Sequence, residues 1–214
     1  MDLVLQLVDF ILHLDVHLDE LVANYGMWIY AILFLIIFCE TGLVVMPLLP
    51  GDSLLFAAGA VAASGRLDVV ALCLLLIVAA ILGNAVNYWV GRVAGVGLQR
   101  RFPRLIRQQY LDKTHAYFER YGGKTVIIAR FVPIVRTVAP FAAGVGQMSH
   151  LRYQFYNFTG SILWVLLLVP AGYFFANVPI VKENFSAVVI GIIILSVLPA
   201  VIEFVRERAA PQPD

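Results

Sequence analysis

The chain has 214 residues, 61% of them hydrophobic and 14% charged, with a formal net charge of +1. So apolar a composition excludes a disordered chain and argues against an ordinary soluble domain. Several apolar runs reach the roughly 20 residues that span a bilayer, and no period-2 alternation of a barrel is visible, so the expected class is an all-α polytopic membrane protein.

Residues 1–24 carry Asp2, Gln6, Asp9, His13, His17 and Glu20 at helical spacing, with Leu, Val, Ile and Phe on the other side. The stripe is too regular to span lipid and predicts an amphipathic helix in the interface. His13 and His17 stand one turn apart, but no third ligand lies nearby, so they are read as a polar face and no metal or cofactor is called for. The N-terminus lacks a positive region and a clean small-residue cleavage site, so no cleaved signal is expected. Cys39 and Cys73 sit in apolar runs and are read as free thiols.

The stretch 25–91 is the first half of the expected architecture. Met27 to Val45 is apolar, interrupted by Glu40 and Gly42. Then come Pro47, Pro50, Gly51 and Asp52, and a second apolar arm to Ala63. Two prolines and a glycine end a helix. An apolar arm, a break holding an acid and a shorter apolar arm predict a re-entrant hairpin over 27–64, because non-helical backbone at membrane depth must face protein or a wet cavity. A kinked helical hairpin is the alternative. Residues 69–90 form the first through-going span, with Asn84, Asn87 and Tyr88 towards one end.

Residues 92–120 are a basic loop with an amphipathic helix expected from Arg107 to Tyr121. No Lys or Arg occurs before Arg66, whereas Arg92, Arg100, Arg101, Arg104, Arg107 and Lys113 crowd this loop. The positive-inside rule puts it in the cytoplasm, where such residues set topology and touch anionic headgroups rather than bind nucleic acid. The stretch 121–176 is the second half: a broken hairpin over 124–149, holding Arg130, Pro133, Arg136 and Pro140, then a span over 153–176. A last span is expected over 185–205, and the tail 206–214, opening with Arg206 and Arg208, is read as cytoplasmic.

The two halves look like copies. Tyr25-Gly26 opens one hairpin and Tyr121-Gly122 the other. Fifteen residues after each Tyr stands a charge, Glu40 and Arg136, and each hairpin then has a proline followed by Ala-Ala-Gly. If each hairpin re-enters and each copy crosses once, the copies face opposite ways, and inverted repeats of that kind hold a site near the midplane. Glu40, Asp52, Arg130 and Arg136 are then four charges at membrane depth, where each needs a partner or a wet cavity. Arginine offers a planar fork suited to phosphate, and a carboxylate beside it can take and release a proton. Arg130 and Arg136 are therefore the candidate phosphate-binding groups, and Glu40 and Asp52 the candidate proton carriers.

Gly51-Asp52-Ser53-Leu54 spells the nucleophile box of a hydrolase family, and Asp112 and His115 supply its other pair. Those enzymes place the serine after a strand in a soluble α/β fold. Here it follows a double-proline break in an apolar region, so no enzyme is expected.

Several stretches resemble the DedA family of bacterial inner-membrane proteins, also called the SNARE-associated or VTT-domain family. They are Phe38-Cys39-Glu40-Thr41-Gly42, Pro50-Gly51-Asp52-Ser53-Leu54-Leu55-Phe56, Tyr110-Leu111-Asp112-Lys113-Thr114-His115, Ala129-Arg130-Phe131-Val132-Pro133-Ile134-Val135-Arg136 and Ala171-Gly172-Tyr173-Phe174-Phe175. The resemblance covers nearly the whole chain. It implies two facing re-entrant hairpins and a multi-pass protein of the bacterial inner membrane. It also implies movement of lipid between leaflets, with undecaprenyl phosphate or a phospholipid as cargo, dependence on the proton-motive force and a part in envelope integrity. The expected partners are thus membrane lipids and protons, and homo-oligomer formation is left open. The rival expectation is a proton-coupled cation or drug exchanger, in which the acids are the site and the arginines tune them. A non-transporting scaffold is a third.

Overall fold

A computed structural model describes residues 26–43, 51–101 and 120–176, with 178, 187, 188 and 191 besides. The N-terminal amphipathic helix, Pro47 and Pro50, the loop helix, the last span and the tail therefore lie outside the described residues. Within them the regular structure is helical throughout.

Helix α1 (Trp28–Gly42) runs straight through Glu40, which does not interrupt it. It ends where Gly42 meets an extended Leu43 at φ −98°. Helix α2 (Gly51–Ala63) follows the break and closes at Ser64 and Gly65, the latter at φ +81°, a conformation that favours glycine. Asp68 then starts helix α3 (Val69–Arg101): its Oδ1 accepts the Ala71 N–H at 2.8 Å, as an N-cap does, and its own N–H donates to the Tyr30 hydroxyl at 2.8 Å.

Helix α3 has 33 residues, about 50 Å at 1.5 Å per residue. It continues well past Val90, where the sequence predicted a loop. Gly91, Gly95 and Gly97 lower helix propensity without stopping it, and no proline intervenes before Pro103. One face carries Val70, Leu74, Val78, Leu82, Val86 and Val90 at i, i+4 spacing, all exposed, while Leu72, Leu76, Ala79 and Ala80 are buried on the other. An exposed stripe of aliphatic side chains on a helix this long is the pattern of a lipid-facing span.

Helix α4 is described over 120–129. Helix α5 (Pro133–Val145) begins at a proline, whose missing N–H costs nothing in a first turn. The same proline drives Val132 into extended backbone at φ −120°, and this breaks the hairpin at 130–132. Pro140 does not break the chain as expected. It lies inside α5, removing one ladder bond, while Ala139 and Ala143 stay buried and hold the helix on its neighbours. Helix α6 (His150–Phe175) is the second long apolar helix and also carries a proline, Pro170, in its interior.

Two crossings organise the packing. Helix α2 lies on α6, and a Cβ added at Gly59 or at Gly172 would overlap backbone of the other helix, at Val169 and Phe56 respectively. Helix α5 lies on α3 in the same manner, with Gly144 against the Tyr88 carbonyl and Gly91 against Phe141. The two contacts correspond: Phe56-Ala57-Ala58-Gly59 matches Phe141-Ala142-Ala143-Gly144, and in each partner helix the glycine follows the contacted carbonyl by three residues. Small residues let helices approach closely where lipid supplies no hydrophobic drive to associate. Around the first crossing lies the larger core, with Ile29, Leu33, Ile37, Leu55, Leu72 and Val165. Beside the second, Tyr88 stacks on Tyr153 at 4.3 Å, Tyr153 donates to the Asn84 carbonyl at 2.9 Å, and Arg92 donates to the Tyr88 hydroxyl at 2.6 Å.

Candidate functional site

The charged residues converge where the hairpin helices meet the long ones. Glu40 comes from the last turn of α1, Asp52 from the first turn of α2 and Arg136 from the first turn of α5. The Arg136 guanidinium donates through Nη2 to Glu40 Oε1 and through Nη1 to Asp52 Oδ1. Glu40 and Arg136 are buried, at 1% and 8% exposure, and Asp52 is at 18%. Trp164 of α6 completes the group: its indole N–H donates to Asp52 Oδ1 at 2.8 Å, and its ring lies 5.3 Å from the guanidinium carbon. Helices α1 and α2 are thus joined by one cation from a segment 84 to 96 residues further along the chain. Gly51 makes this approach possible, since a side chain there would collide with the Glu40 carboxylate.

Arg130 is placed differently. It sits in the 130–132 break, buried at 6% exposure. Its Nη2 donates to Asn157 Oδ1 at 2.6 Å and to the Asn157 carbonyl at 3.3 Å. Asn157 is itself held, because its amide nitrogen donates to the Ile81 carbonyl at 3.0 Å and to Gln154 Oε1 at 3.1 Å. Among the described residues no carboxylate is paired with Arg130. Gly160 leaves room for the arginine stem, since a Cβ there would stand 3.0 Å from Nε.

Asn87 of α3 ties two of the short helices together. Its amide nitrogen donates to the Thr41 carbonyl at 3.1 Å and to the Thr137 carbonyl at 2.9 Å, so one side chain holds the end of α1 and the start of α5. A small cavity of about 10 Å³ opens between these elements, lined by Glu40, Arg130, Arg136 and Trp164 with Thr41, Asn84 and Thr137. That is about the least space that admits one water. Buried polar atoms without a partner include Glu40 Oε2 and Asn87 Oδ1.

Three of the four predicted charges, Glu40, Arg130 and Arg136, line one cavity, Asp52 joins them through Arg136, and the two arginines are held by different partners. Of the predicted hairpin breaks, Gly51 and Pro133 open helices, Pro140 lies within one, and Pro47 and Pro50 are outside the described residues. The spacing argument did not single out Asn157 and Trp164, which orient the charges. A polar amide in the first third of a long, mostly apolar helix was the available signal for Asn157. Ser53, the hydrolase-like serine, is buried in the first turn of a helix, and His115 is outside the described residues.

A buried charge network between long lipid-facing helices and short broken ones defines a class, that of polytopic α-helical membrane proteins with an intramembrane polar site. The VTT domain family matches residues 49–174. Protein DedA of Escherichia coli K12 is 56% identical over 213 residues, covering 98% of this chain and 97% of that protein. The chain belongs to the DedA family, the VTT-domain membrane proteins, and is closely similar to Protein DedA. An uncharacterized membrane protein of Mycobacterium leprae is 43% identical over 168 residues, 78% of this chain and 75% of its own. Inner membrane protein YqjA of Escherichia coli K12 is 37% identical over 164 residues, 75% of this chain and 74% of its own. No solved structure matches the chain.

Proposed function

We propose that the protein is an inner-membrane lipid transporter that moves a phosphate-bearing lipid, undecaprenyl phosphate or a phospholipid, between leaflets, driven by the proton-motive force and supporting the envelope. The observation that carries this reading is the Glu40–Arg136–Asp52 group with Arg130 across one cavity. Arginines provide fork-shaped donors for a phosphate. The two acids around one guanidinium leave one negative charge in surplus and so provide a place for a proton. Between cycles the acids pair with arginine; during a cycle they carry protons, and no covalent chemistry is involved.

Two further features support an inverted repeat with re-entrant hairpins. Helices α1, α2 and α5, at 15, 13 and 13 residues, are about 20 Å long, too short to cross the roughly 30 Å hydrocarbon core. The corresponding glycine crossings relate the second arm of each hairpin to the long helix of the other half. Alternate opening of the hairpin tips would expose the cavity to each side in turn. The name of the YqjA relative favours the inner membrane, and the basic segments favour a cytoplasmic C-terminus. The exchanger remains the second reading, favoured by a cavity that holds no more than one water in this conformation.

The test is transbilayer movement of labelled polyprenyl phosphate and labelled phospholipid in proteoliposomes, with and without an imposed pH gradient. Gradient-dependent movement of the polyprenyl phosphate is the expected result. Movement of both lipids without a gradient would make the protein a scramblase and leave Glu40 and Asp52 as structural partners. Movement of neither by folded protein would give the exchanger precedence.

A further inference from the structure

We propose that the two arginines divide the work: Arg130, presented by Asn157, receives the cargo phosphate, and Arg136 is the internal counter-ion of the acid pair. This rests on the lipid-phosphate reading above and narrows it from a shared fork to one receiving group.

The hydrogen bonds point this way. Both terminal nitrogens of Arg136 are occupied by carboxylates, and its face lies towards the Trp164 ring. A phosphate arriving there would have to displace Glu40 and Asp52 and leave a buried and a half-buried carboxylate without their cation, which is the costly way to break such a group. Among the described residues Arg130 has only neutral acceptors, both supplied by Asn157. Its charge is stabilised by dipoles and not cancelled, so an anion gains a full ion pair there without evicting another. It lines the cavity and sits in the non-helical break, between helices α4 and α5.

Asn157 is the positioning residue. Its amide nitrogen is committed to Ile81 and Gln154, so its oxygen is fixed towards Arg130. Its neutrality matters, because an aspartate at this position would do to Arg130 what Glu40 and Asp52 do to Arg136. Charge balance over the whole site follows. The acid pair holds one negative charge in surplus and Arg130 one positive charge. An incoming phosphate monoanion cancels the second, and a proton on the acid pair cancels the first. The ligand class is a phosphate ester, and the cavity, at about 10 Å³, must widen before the phosphate enters.

The experiment uses purified full-length protein in detergent, with farnesyl phosphate and inorganic phosphate as probes. Titration calorimetry reads affinity, and a melting curve is recorded for each variant. Arg130→Lys keeps the charge and loses the fork, and should weaken farnesyl phosphate by about tenfold or more, with little change in melting. Arg136→Lys should do the reverse in rank: the larger loss in melting temperature and the smaller loss in affinity. Asn157→Asp should weaken binding by about tenfold while the protein still melts cooperatively, because an internal anion then occupies Arg130. Equal affinity losses at the two arginines would restore the shared fork and overturn the division, leaving the lipid-phosphate reading intact. So would an Asn157→Asp protein that binds as wild type does. If Asn157→Asp fails to fold, the ranking of the two lysine variants decides. Wild-type protein that binds neither probe would overturn the lipid-phosphate reading itself, and this inference with it. Inorganic phosphate binding as tightly as farnesyl phosphate, with the same ranking of variants, would uphold Arg130 as the receiving group for a free anion in place of a lipid headgroup.

Discussion

Arg130 and Arg136 stand six residues apart in one short stretch, and the fold gives them opposite surroundings. Arg136 begins a helix and is enclosed by two acids from the other hairpin. Arg130 lies in the break before that helix and is held by one neutral amide from the long helix α6. The difference comes from backbone. Pro133 forces the preceding residue out of helical geometry, so the two side chains do not stand at helical spacing and meet different partners. Two identical residues can thus have opposite electrostatic surroundings, depending on what lies across from each.

Three substitutions break or sharpen this contrast. The largest effect is expected from Arg136→Ala, which strands the buried Glu40 carboxylate and the half-buried one of Asp52. A loss of about 3–5 kcal/mol is expected, read as a collapse of the melting transition or of folded yield in detergent. A wild-type melting curve for that variant would mean that the acids do not depend on Arg136. A smaller effect is expected at the other arginine's support. Asn157→Ala leaves Arg130 Nη2 and the Ile81 carbonyl without their side-chain partner and should cost about 1–3 kcal/mol, with phosphate binding weakened as well. Stability loss without any change in phosphate affinity would make Asn157 a packing residue only. The smallest effect belongs to Trp164→Phe, which keeps an aromatic ring beside the guanidinium and deletes the N–H to Asp52. A cost of about 0.5–1.5 kcal/mol is expected by denaturant titration, and a larger one would show that the indole holds more than this hydrogen bond.

Much of the fold was legible because lipid imposes strict rules on sequence. Long apolar runs became α3 and α6, and the Pro/Gly segments marked where the hairpin helices start. The boundaries were less legible. Helix α3 runs on to Arg101 because basic residues signal topology rather than the end of a helix, and α5 tolerates Pro140 because its flanks are packed. Glu40 looked like an interruption and is an ordinary helical residue whose partner lies in another hairpin.

The four charges were visible from chemistry alone, since any ionisable group in so apolar a chain must be compensated. Their pairing was not. Which acid meets which base depends on where α1, α2 and α5 are brought together, and that depends on the close glycine crossings and on Asn87 bridging both hairpins. Composition and spacing by themselves determined a helical membrane protein with a charged interior, because hydrocarbon tolerates neither open backbone nor a lone charge. Only the tertiary structure decided that Arg136 is enclosed by acids while Arg130 is held by a neutral amide, because pairing is a property of distances between segments far apart in the chain.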